Sequence, residues 1–274
     1  TAAKQAPQEF TVKTATAANT VKGTPHAKFK KVLDLVANAE PVYLYGPAGT
    51  GKTVLASQIA EALGLPFYYS GQLSQEYKFT GFTDANGHFQ PTPFYKAFTE
   101  GGLFFLDEMD RSFPDVVTDL NGALANGIFD FPAPIGVKKA HPDFRCIAAG
   151  NTLGRGACGG YVAANTLDAS TIDRFMPVEI QYDNRIEDAI SAEAAEFVRV
   201  LRKSAGLAGL NIVLSYRTIK RLAKFSDILG LADVIKSTIT APLTRDDINT
   251  LISYAGIKRL AESGNRYAAA FVAA

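Results

Sequence analysis

Two stretches of this chain have the residue types and spacing for phosphate chemistry. The first is Gly46-Pro47-Ala48-Gly49-Thr50-Gly51-Lys52-Thr53, which fits G-x-x-x-x-G-K-[ST], the Walker A pattern. Its glycines let backbone N–H groups converge on phosphate oxygens, and the start of a following helix adds the positive end of its dipole. Lys52 brings a point charge to the β- and γ-phosphates, and the Thr53 hydroxyl suits Mg²⁺. With average glycine usage, such a match arises by chance roughly once in a hundred chains of this length. The second stretch is Gly101-Gly102-Leu103-Phe104-Phe105-Leu106-Asp107-Glu108, a hydrophobic run ending in two adjacent carboxylates. Asp107 at a strand end fits the Walker B role of holding Mg²⁺ through water. Glu108 fits a general base that polarises an attacking water. An acidic pair after a strand is weak alone, because strand ends are often solvated. Downstream of a Walker A loop it reads as the other half of a site for ATP and Mg²⁺, with Thr53 and Asp107 on the metal.

Positioning these residues requires strands that end where the chemistry begins. Val42-Tyr43-Leu44-Tyr45 reads as a buried strand running into the glycine-rich turn, and Lys52–Leu63 as the helix after it, with Gly64 as C-cap. Further strands are expected at residues 66–69, 103–106, 144–149 and 178–181. Helices are expected at 25–39, 94–100 and 115–125. Strands alternating with helices imply a parallel sheet covered on both faces. Asn86-Gly87, between residues 82–85 and 88–90, predicts a small hairpin, because both turn residues tolerate positive φ. Residues 128–137 read as a second hairpin. After Asp183 the pattern becomes helical, with helices expected at 186–205, 216–229, 231–239 and 246–261 and an Ala-rich tail from Gly264. The expected domains are therefore a flexible or docking arm at residues 1–24, an α/β nucleotide-binding domain at 25–182, and a small helical domain at 183–274.

Composition narrows the class of partner. The 274 residues carry 28 Lys plus Arg against 27 Asp plus Glu, a net charge of +1, so no global field advertises nucleic acid or a basic partner. No apolar run approaches the ~18 residues of a membrane span, and no signal-peptide pattern opens the sequence. Cys146 and Cys158 are the only cysteines, too few for a disulfide framework and without the companions of a zinc site. A reducing cytoplasm is the expected compartment. Cys146 reads as core and Cys158 as incidental. His88 and His141 read as turn or solvent residues.

On these motifs the chain resembles the AAA+ ATPases. More narrowly it resembles the MoxR group, most of all the cobaltochelatase-type ATPase subunit and phage-encoded homologues. The resemblance covers roughly residues 25–228. It is carried by Thr80-Gly81-Phe82-Thr83-Asp84, Gly87-His88-Phe89, Thr92-Pro93-Phe94, Ala97-Phe98 and residues 101–110. It implies an α/β P-loop NTPase (AAA+) core with a parallel sheet, in which the first hairpin is a helix-2 insert and the second a pre-sensor hairpin, followed by a small all-helical lid domain. By position in the family pattern, Asn151 resembles sensor 1, which orients the attacking water with Glu108. Arg174 resembles an arginine finger that reaches a neighbouring subunit's γ-phosphate; the plainer reading is a salt bridge to Asp173 or elsewhere. Arg217 resembles sensor 2, although the family usually has a small residue or Pro where Tyr216 stands. Arg111 reads either as a contact to a neighbouring subunit or as an intrachain pair with Asp110 or Asp115, and Arg155 as a candidate second trans-acting arginine.

The resemblance implies a self-assembled ring, a hexamer by the family's habit, with ATP hydrolysed at subunit interfaces to remodel or assemble a protein partner. Many relatives act with a partner that carries a von Willebrand A-type domain. Tyr77-Lys78-Phe79 and the first hairpin are candidate grips on a polypeptide. The alternative is a nucleic-acid motor or loader, in which Phe79 and Phe82 stack bases and Lys138 and Lys139 meet phosphates. A small-molecule kinase on the same loop is the third class, and the adjacent Asp107-Glu108, Asn151 and Arg174 suit water attack better.

Overall fold

The computed structural model describes residues 9–13, 18–157 and 161–273. Cys158 lies outside the described residues. The chain divides into two compact units, one of residues 1–47 and 51–181, the other of residues 48–50 and 182–274.

The first unit opens with β1 (Glu9–Lys13) and β2 (Ala18–Lys22), an antiparallel pair. Then come α1 (Phe29–Ala37), β3 (Val42–Tyr45), α2 (Lys52–Leu63) and β4 (Phe67–Ser70). A single turn, α3 (Tyr77–Thr80), precedes β5 (Phe82–Thr83) and β6 (Phe89–Gln90). The unit continues through α4 (Pro93–Glu100), β7 (Gly102–Leu106), a 3₁₀ turn at Met109–Arg111 and α5 (Pro114–Asn126). It ends with β8 (Ile128–Phe131), β9 (Gly136–Lys139), β10 (Phe144–Gly150), α6 (Ala169–Asp173) and β11 (Met176–Glu179).

Five of these strands form one parallel sheet in the order β11-β3-β10-β7-β4. Alternation along its strands sorts the core. Val42, Leu44, Leu103, Phe105, Ile147, Ala149 and Val178 face one layer, where α1 and α2 supply Val32, Val36, Leu55 and Ile59. Tyr43, Phe104, Leu106, Cys146 and Ala148 face the other, beneath Phe94 and Phe98 of α4 and Val117 and Leu120 of α5. Because both faces are covered, the strands read as unbroken apolar runs. Burial pushes the Cys146 thiol up to about 12, as befits a core residue.

The β1–β2 hairpin occupies part of the stretch expected as an arm. Val21 is buried in the α1–α2 layer. Gln58 of α2 donates to the Lys22 carbonyl at 2.8 Å, Asn19 donates to the Ala62 carbonyl at 3.0 Å, and Phe10 meets Phe29 edge-on.

The predicted hairpin at Asn86-Gly87 is present. Among its residues only Gly87 has positive φ. Asp84 organises the loop: its Oδ1 accepts from the N–H groups of Asn86 and His88, both at 2.9 Å, and its Oδ2 from Gln90. These bonds hold the Asp84 carboxyl below the usual carboxylate range, the one from His88 being the strongest cause.

The second unit is helical, with no strand among its described residues. It contains α7 (Asn184–Leu207), α8 (Tyr216–Leu229), α9 (Leu231–Ile235) running into a π-turn at Lys236–Thr240, α10 (Arg245–Ser253), α11 (Ala255–Glu262) and α12 (Arg266–Ala273). Two expectations are corrected here. The single helix expected at 246–261 is broken at Tyr254, which is extended. The Ala-rich tail is a helix whose Tyr267 and Phe271 are fully buried. Arg202 ties α7 to the start of α8. It donates to Glu187 at 2.8 Å and to the Leu214 carbonyl at 2.7 and 3.0 Å, and stacks on Tyr182. Among the described residues, no helix is long and apolar enough to cross a membrane.

Phe79 corrects a functional expectation as well. It is 0% exposed and stacks on Phe94 with ring centroids 4.0 Å apart, so it is core and cannot grip a polypeptide or stack a base. Phe82 and Tyr77 remain half-exposed and meet edge-to-face. Replacing a fully buried Phe by Ala costs ~3–5 kcal/mol, so Phe79→Ala is expected to lower the urea midpoint by a corresponding amount. A change within about 0.5 kcal/mol, the size of ordinary surface substitutions, would mean the ring is not in the core.

Candidate functional site

The strand order places the sequence-predicted residues at one edge. The ends of β3, β10 and β7 are neighbours, so the glycine-rich loop, Asn151 and the Asp107-Glu108 pair emerge side by side. Register sharpens this: Gly150 pairs with Tyr45 and Ala148 with Leu106, so β10 carries Asn151 just past the ends of both neighbours.

In the loop, Gly46, Gly49 and Gly51 have φ of 140°, 73° and 87°. A side chain would strain such backbone, and glycine there permits the conformation in which successive N–H groups can converge on an anion. Lys52 is buried to 8% exposure, and its ammonium donates to the carbonyls of Gly46 at 2.8 Å and Pro47 at 3.0 Å and to Asn151 Oδ1 at 3.3 Å. Thr53 donates its hydroxyl to Asp107 Oδ2 at 3.2 Å. A hydroxyl and a carboxylate side by side are hard oxygen donors of the kind Mg²⁺ shares with phosphates and water. No cluster of three or more His, Cys, Asp or Glu is present among the described residues. The loop, the ammonium and this oxygen pair together fit a nucleotide triphosphate with Mg²⁺.

Glu108 follows in an unusual conformation. Its φ is 53°, and Ala39 is the only other non-glycine residue with positive φ among those described. The Glu108 N–H donates to Asp107 Oδ1 at 3.0 Å. Its carboxylate pairs with Arg111, whose Nη1 lies 3.2 and 3.3 Å from the two oxygens. Arg111 thus pairs with Glu108, where the sequence suggested Asp110 or Asp115.

Two residues here escaped the sequence reading. Tyr69, near the end of β4, lies close enough to Asp107 and Glu108 for their charges to act on its phenol. Its phenol is raised above its ordinary value, by partial burial first and then by the charges of Asp107 and Glu108. Its signal in the sequence was a Tyr closing a predicted strand, which says little until β4 is known to lie beside β7. Asp110 is the second. It is 0% exposed and accepts from the N–H groups of Asn151 at 2.8 Å and Thr152 at 2.9 Å and from the Thr152 hydroxyl at 3.0 Å. Asp110, Arg111, Asn151 and residues 161–164 border a cavity of about 200 Å³.

Arg174 stands apart from this edge. Arg174 closes α6 two residues before β11 begins, and β11 is parallel to β3 with Met176 opposite Val42. Its backbone is therefore at the amino-terminal edge of the sheet, the edge opposite Lys52. A four-residue strand separates these edges by roughly 13 Å. The Arg174 Nε is buried without a hydrogen-bond partner among the described residues. The alternative salt bridge to Asp173 is not among their ion pairs. Arg155 is exposed and bridges to Thr166. Arg217 is exposed at the start of α8 in the helical unit, where Ser215 caps its N–H at 3.2 Å. Tyr216, the departure from the family pattern, accepts from the Asp183 N–H at 2.6 Å, and burial pushes its phenol up to about 12.

Residues 41–175 match the family model described as AAA domain (dynein-related subfamily). The gas vesicle ATPase GvpN of Ancylobacter aquaticus is 26% identical over 180 residues, 56% of this chain and 49% of that protein. Among solved structures, NtrX from Brucella abortus superposes with a TM-score of 0.55 at 18% identity, over 90% of this chain and 62% of that one. The same protein in complex with ATP gives 0.54 at 16% identity, over 89% and 65%. The chain thus spans about half the length of the curated relative and under two thirds of these structures. The fold is that of a P-loop NTPase of the AAA type, followed by a helical region.

Gly150 tests how tightly the edge is built. A Cβ there would collide with the Tyr43 hydroxyl and lie 2.8 Å from Asp110 Cγ, whereas one at Gly122 in α5 would meet nothing within 4 Å. Gly150→Ala is expected to destabilise by ~1–3 kcal/mol through overpacking. Gly122→Ala is expected to stabilise by about 0.5–1 kcal/mol through helix propensity. Urea unfolding of both variants checks the pair, and equal midpoints would contradict the packing described at Gly150.

Proposed function

We propose that this chain hydrolyses ATP with Mg²⁺ at a site that neighbouring copies complete, and that the cycle remodels or assembles a protein partner. The observation that carries the reading is the distribution of charge over the sheet. Lys52, Thr53, Asp107, Glu108 and Asn151 converge at one edge, while Arg174 stands at the other with its Nε unpartnered among the described residues. The match of residues 41–175 to an AAA domain and the likeness to a protein named as an ATPase support hydrolysis. The finer likeness to the MoxR group and the cobaltochelatase-type subunit rests on the motif between Thr80 and Asp110.

In this reading the loop N–H groups of residues 49–52 and the Lys52 ammonium bind the β- and γ-phosphates. Thr53 and Asp107 would hold Mg²⁺, which neutralises charge on the phosphates when bound. Glu108 takes the proton of the attacking water, and Asn151 orients that water with its amide. Arg174 belongs to the site of an adjacent copy, because its backbone stands at the wrong edge of its own sheet. Arg217 serves from the helical unit. A closed ring, hexameric by the family's habit, is the arrangement that supplies one Arg174 to every site. A protein substrate is favoured over nucleic acid because a net charge of +1 gives the chain no global basic field.

Two experiments test the reading. Glu108→Gln is expected to keep affinity for ATP within a few-fold while lowering turnover by roughly 10²–10⁴; unimpaired turnover would remove Glu108 as the base. Arg174→Ala alone is expected to lose turnover, as does Lys52→Ala. Mixing the two restores part of it, because some interfaces then pair an intact Lys52 with an intact Arg174. Mixed assemblies verified by mass and still inactive would refute the trans role.

A further inference from the structure

We propose that Asp110 is a positioning residue for hydrolysis and acts through Asn151. The proposal rests on the reading above, in which Glu108 and Asn151 handle the attacking water. Asp110 lies two residues after Glu108, on the 3₁₀ turn Met109–Arg111. A carboxylate with no exposed surface is costly unless hydrogen bonds satisfy it. Here a single oxygen, Oδ2, receives three, from the N–H groups of Asn151 and Thr152 and from the Thr152 hydroxyl, at 2.8, 2.9 and 3.0 Å. Oδ1 has no partner among the described residues. The carboxylate is thus committed to one task, fixing the backbone at the residue whose side chain reaches Lys52 at 3.3 Å.

Surrounding contacts fix the carboxylate in turn. The Tyr43 hydroxyl donates to the Thr152 carbonyl at 2.7 Å, a second hold on the same strand end. Gly150 leaves no room for a side chain beside Asp110 Cγ. The Asn165 N–H donates to the Asp110 carbonyl at 2.6 Å, and the Asn165 amide to the Ser112 carbonyl at 3.0 Å, so the loop beyond Asn151 folds back over the turn that carries Asp110. The turn after β7 and the end of β10 therefore move as one piece. The base and the water-orienting amide keep their relative placement whatever the nucleotide does. A shift of one ångström between such groups is enough to cost rate.

The test uses the full chain with Asp110→Ala, Asp110→Asn, Thr152→Val and Asn151→Ala. It reads kcat and KM for ATP, affinity for a fluorescent ATP analogue, and hydrogen exchange at the Asn151 and Thr152 amides against the rest of β10. Asp110→Ala is expected to lower kcat by about tenfold or more with KM within about threefold, the signature of an interaction used in the transition state. Asp110→Asn, whose amide oxygen can still accept from both N–H groups, recovers part of the loss. Adding Asn151→Ala to Asp110→Ala lowers kcat no further than Asn151→Ala alone, because residues acting as a unit are not additive. Losses that multiply in the double variant would overturn the proposal. So would amides at 151 and 152 that lose protection while kcat stays within about twofold of the parent. If Asp110→Ala does not fold, Asp110→Asn and Thr152→Val carry the same comparison. A parent chain that assembles and binds ATP without hydrolysing it would sink the ATPase reading instead. Amide exchange then decides the contact separately, and unchanged protection at 151 and 152 in the Asp110 variants would overturn it.

Discussion

Parallel strands bring all their carboxyl ends to one edge of a sheet, and that geometric fact governs this molecule. With β10 hydrogen-bonded between β3 and β7, three connections that are far apart in sequence leave the sheet side by side. One delivers a cation on a glycine-rich turn, one an amide and one a pair of carboxylates. No loop has to be long or unusual for them to meet. The burial of both sheet faces then fixes the registers, because a slip of one residue would turn Tyr43 and Phe104 into the opposite layer and expel their neighbours. Core packing and site geometry are consequences of the same hydrogen-bond ladder.

The same edge concentrates opposite charges at short range. Lys52 lies against backbone carbonyls and Asn151, Asp107 against Thr53 and Tyr69, and Glu108 against Arg111. Each of these contacts joins a charged group to a neighbour that is neutral or of opposite sign. The arrangement leaves oxygen donors on one side and an ammonium on the other. A polyphosphate with a divalent cation bridges such a division, because its anionic oxygens and its metal need opposite partners. The Glu108–Arg111 pair is half-exposed, and exposed pairs contribute about 0–1 kcal/mol. It orients the carboxylate more than it stabilises the fold.

Much of this was legible in the sequence, and for physical reasons. Buried strands such as Leu103–Leu106 have only apolar residues because both faces are covered, and the glycine-rich loop must be spelled out because its backbone tolerates few alternatives. What escaped was information carried by tertiary contact. Phe79 sits in a polar, aromatic stretch that reads as surface, and only its stacking on Phe94 puts it in the core. Tyr254 interrupts a helical pattern with only Gly256, two residues on, as a local mark, and a lone Gly is tolerated inside a helix, so residues 246–261 read as one helix. The terminal Ala run gave no polar stripe to signal an amphipathic helix, yet Tyr267 and Phe271, four apart, bury one face of it. Asp110 read as a possible ion-pair partner of Arg111. Its partners, Asn151 and Thr152, lie some forty residues downstream, and no local pattern connects them.

Glu108 shows why a rigid scaffold is needed behind such a site. A non-glycine residue held in an unfavoured backbone region costs about 1–3 kcal/mol, and the conformation persists only where the surroundings over-determine it. Here every residue of the turn is tied down. The Asp107 N–H donates to the Ser70 carbonyl on β4, the Glu108 carbonyl accepts from Arg111, Ser112 accepts from the Leu73 N–H, and Asp110 grips β10. Removing any one tie leaves the others to hold the left-handed turn. Released from it, the chain would relax to ordinary φ and swing the Glu108 carboxylate away from the direction set by β7. The strain and the ties are therefore one device. Their combined effect is to aim a carboxylate from a strand end at a place that neither strand nor helix geometry would reach.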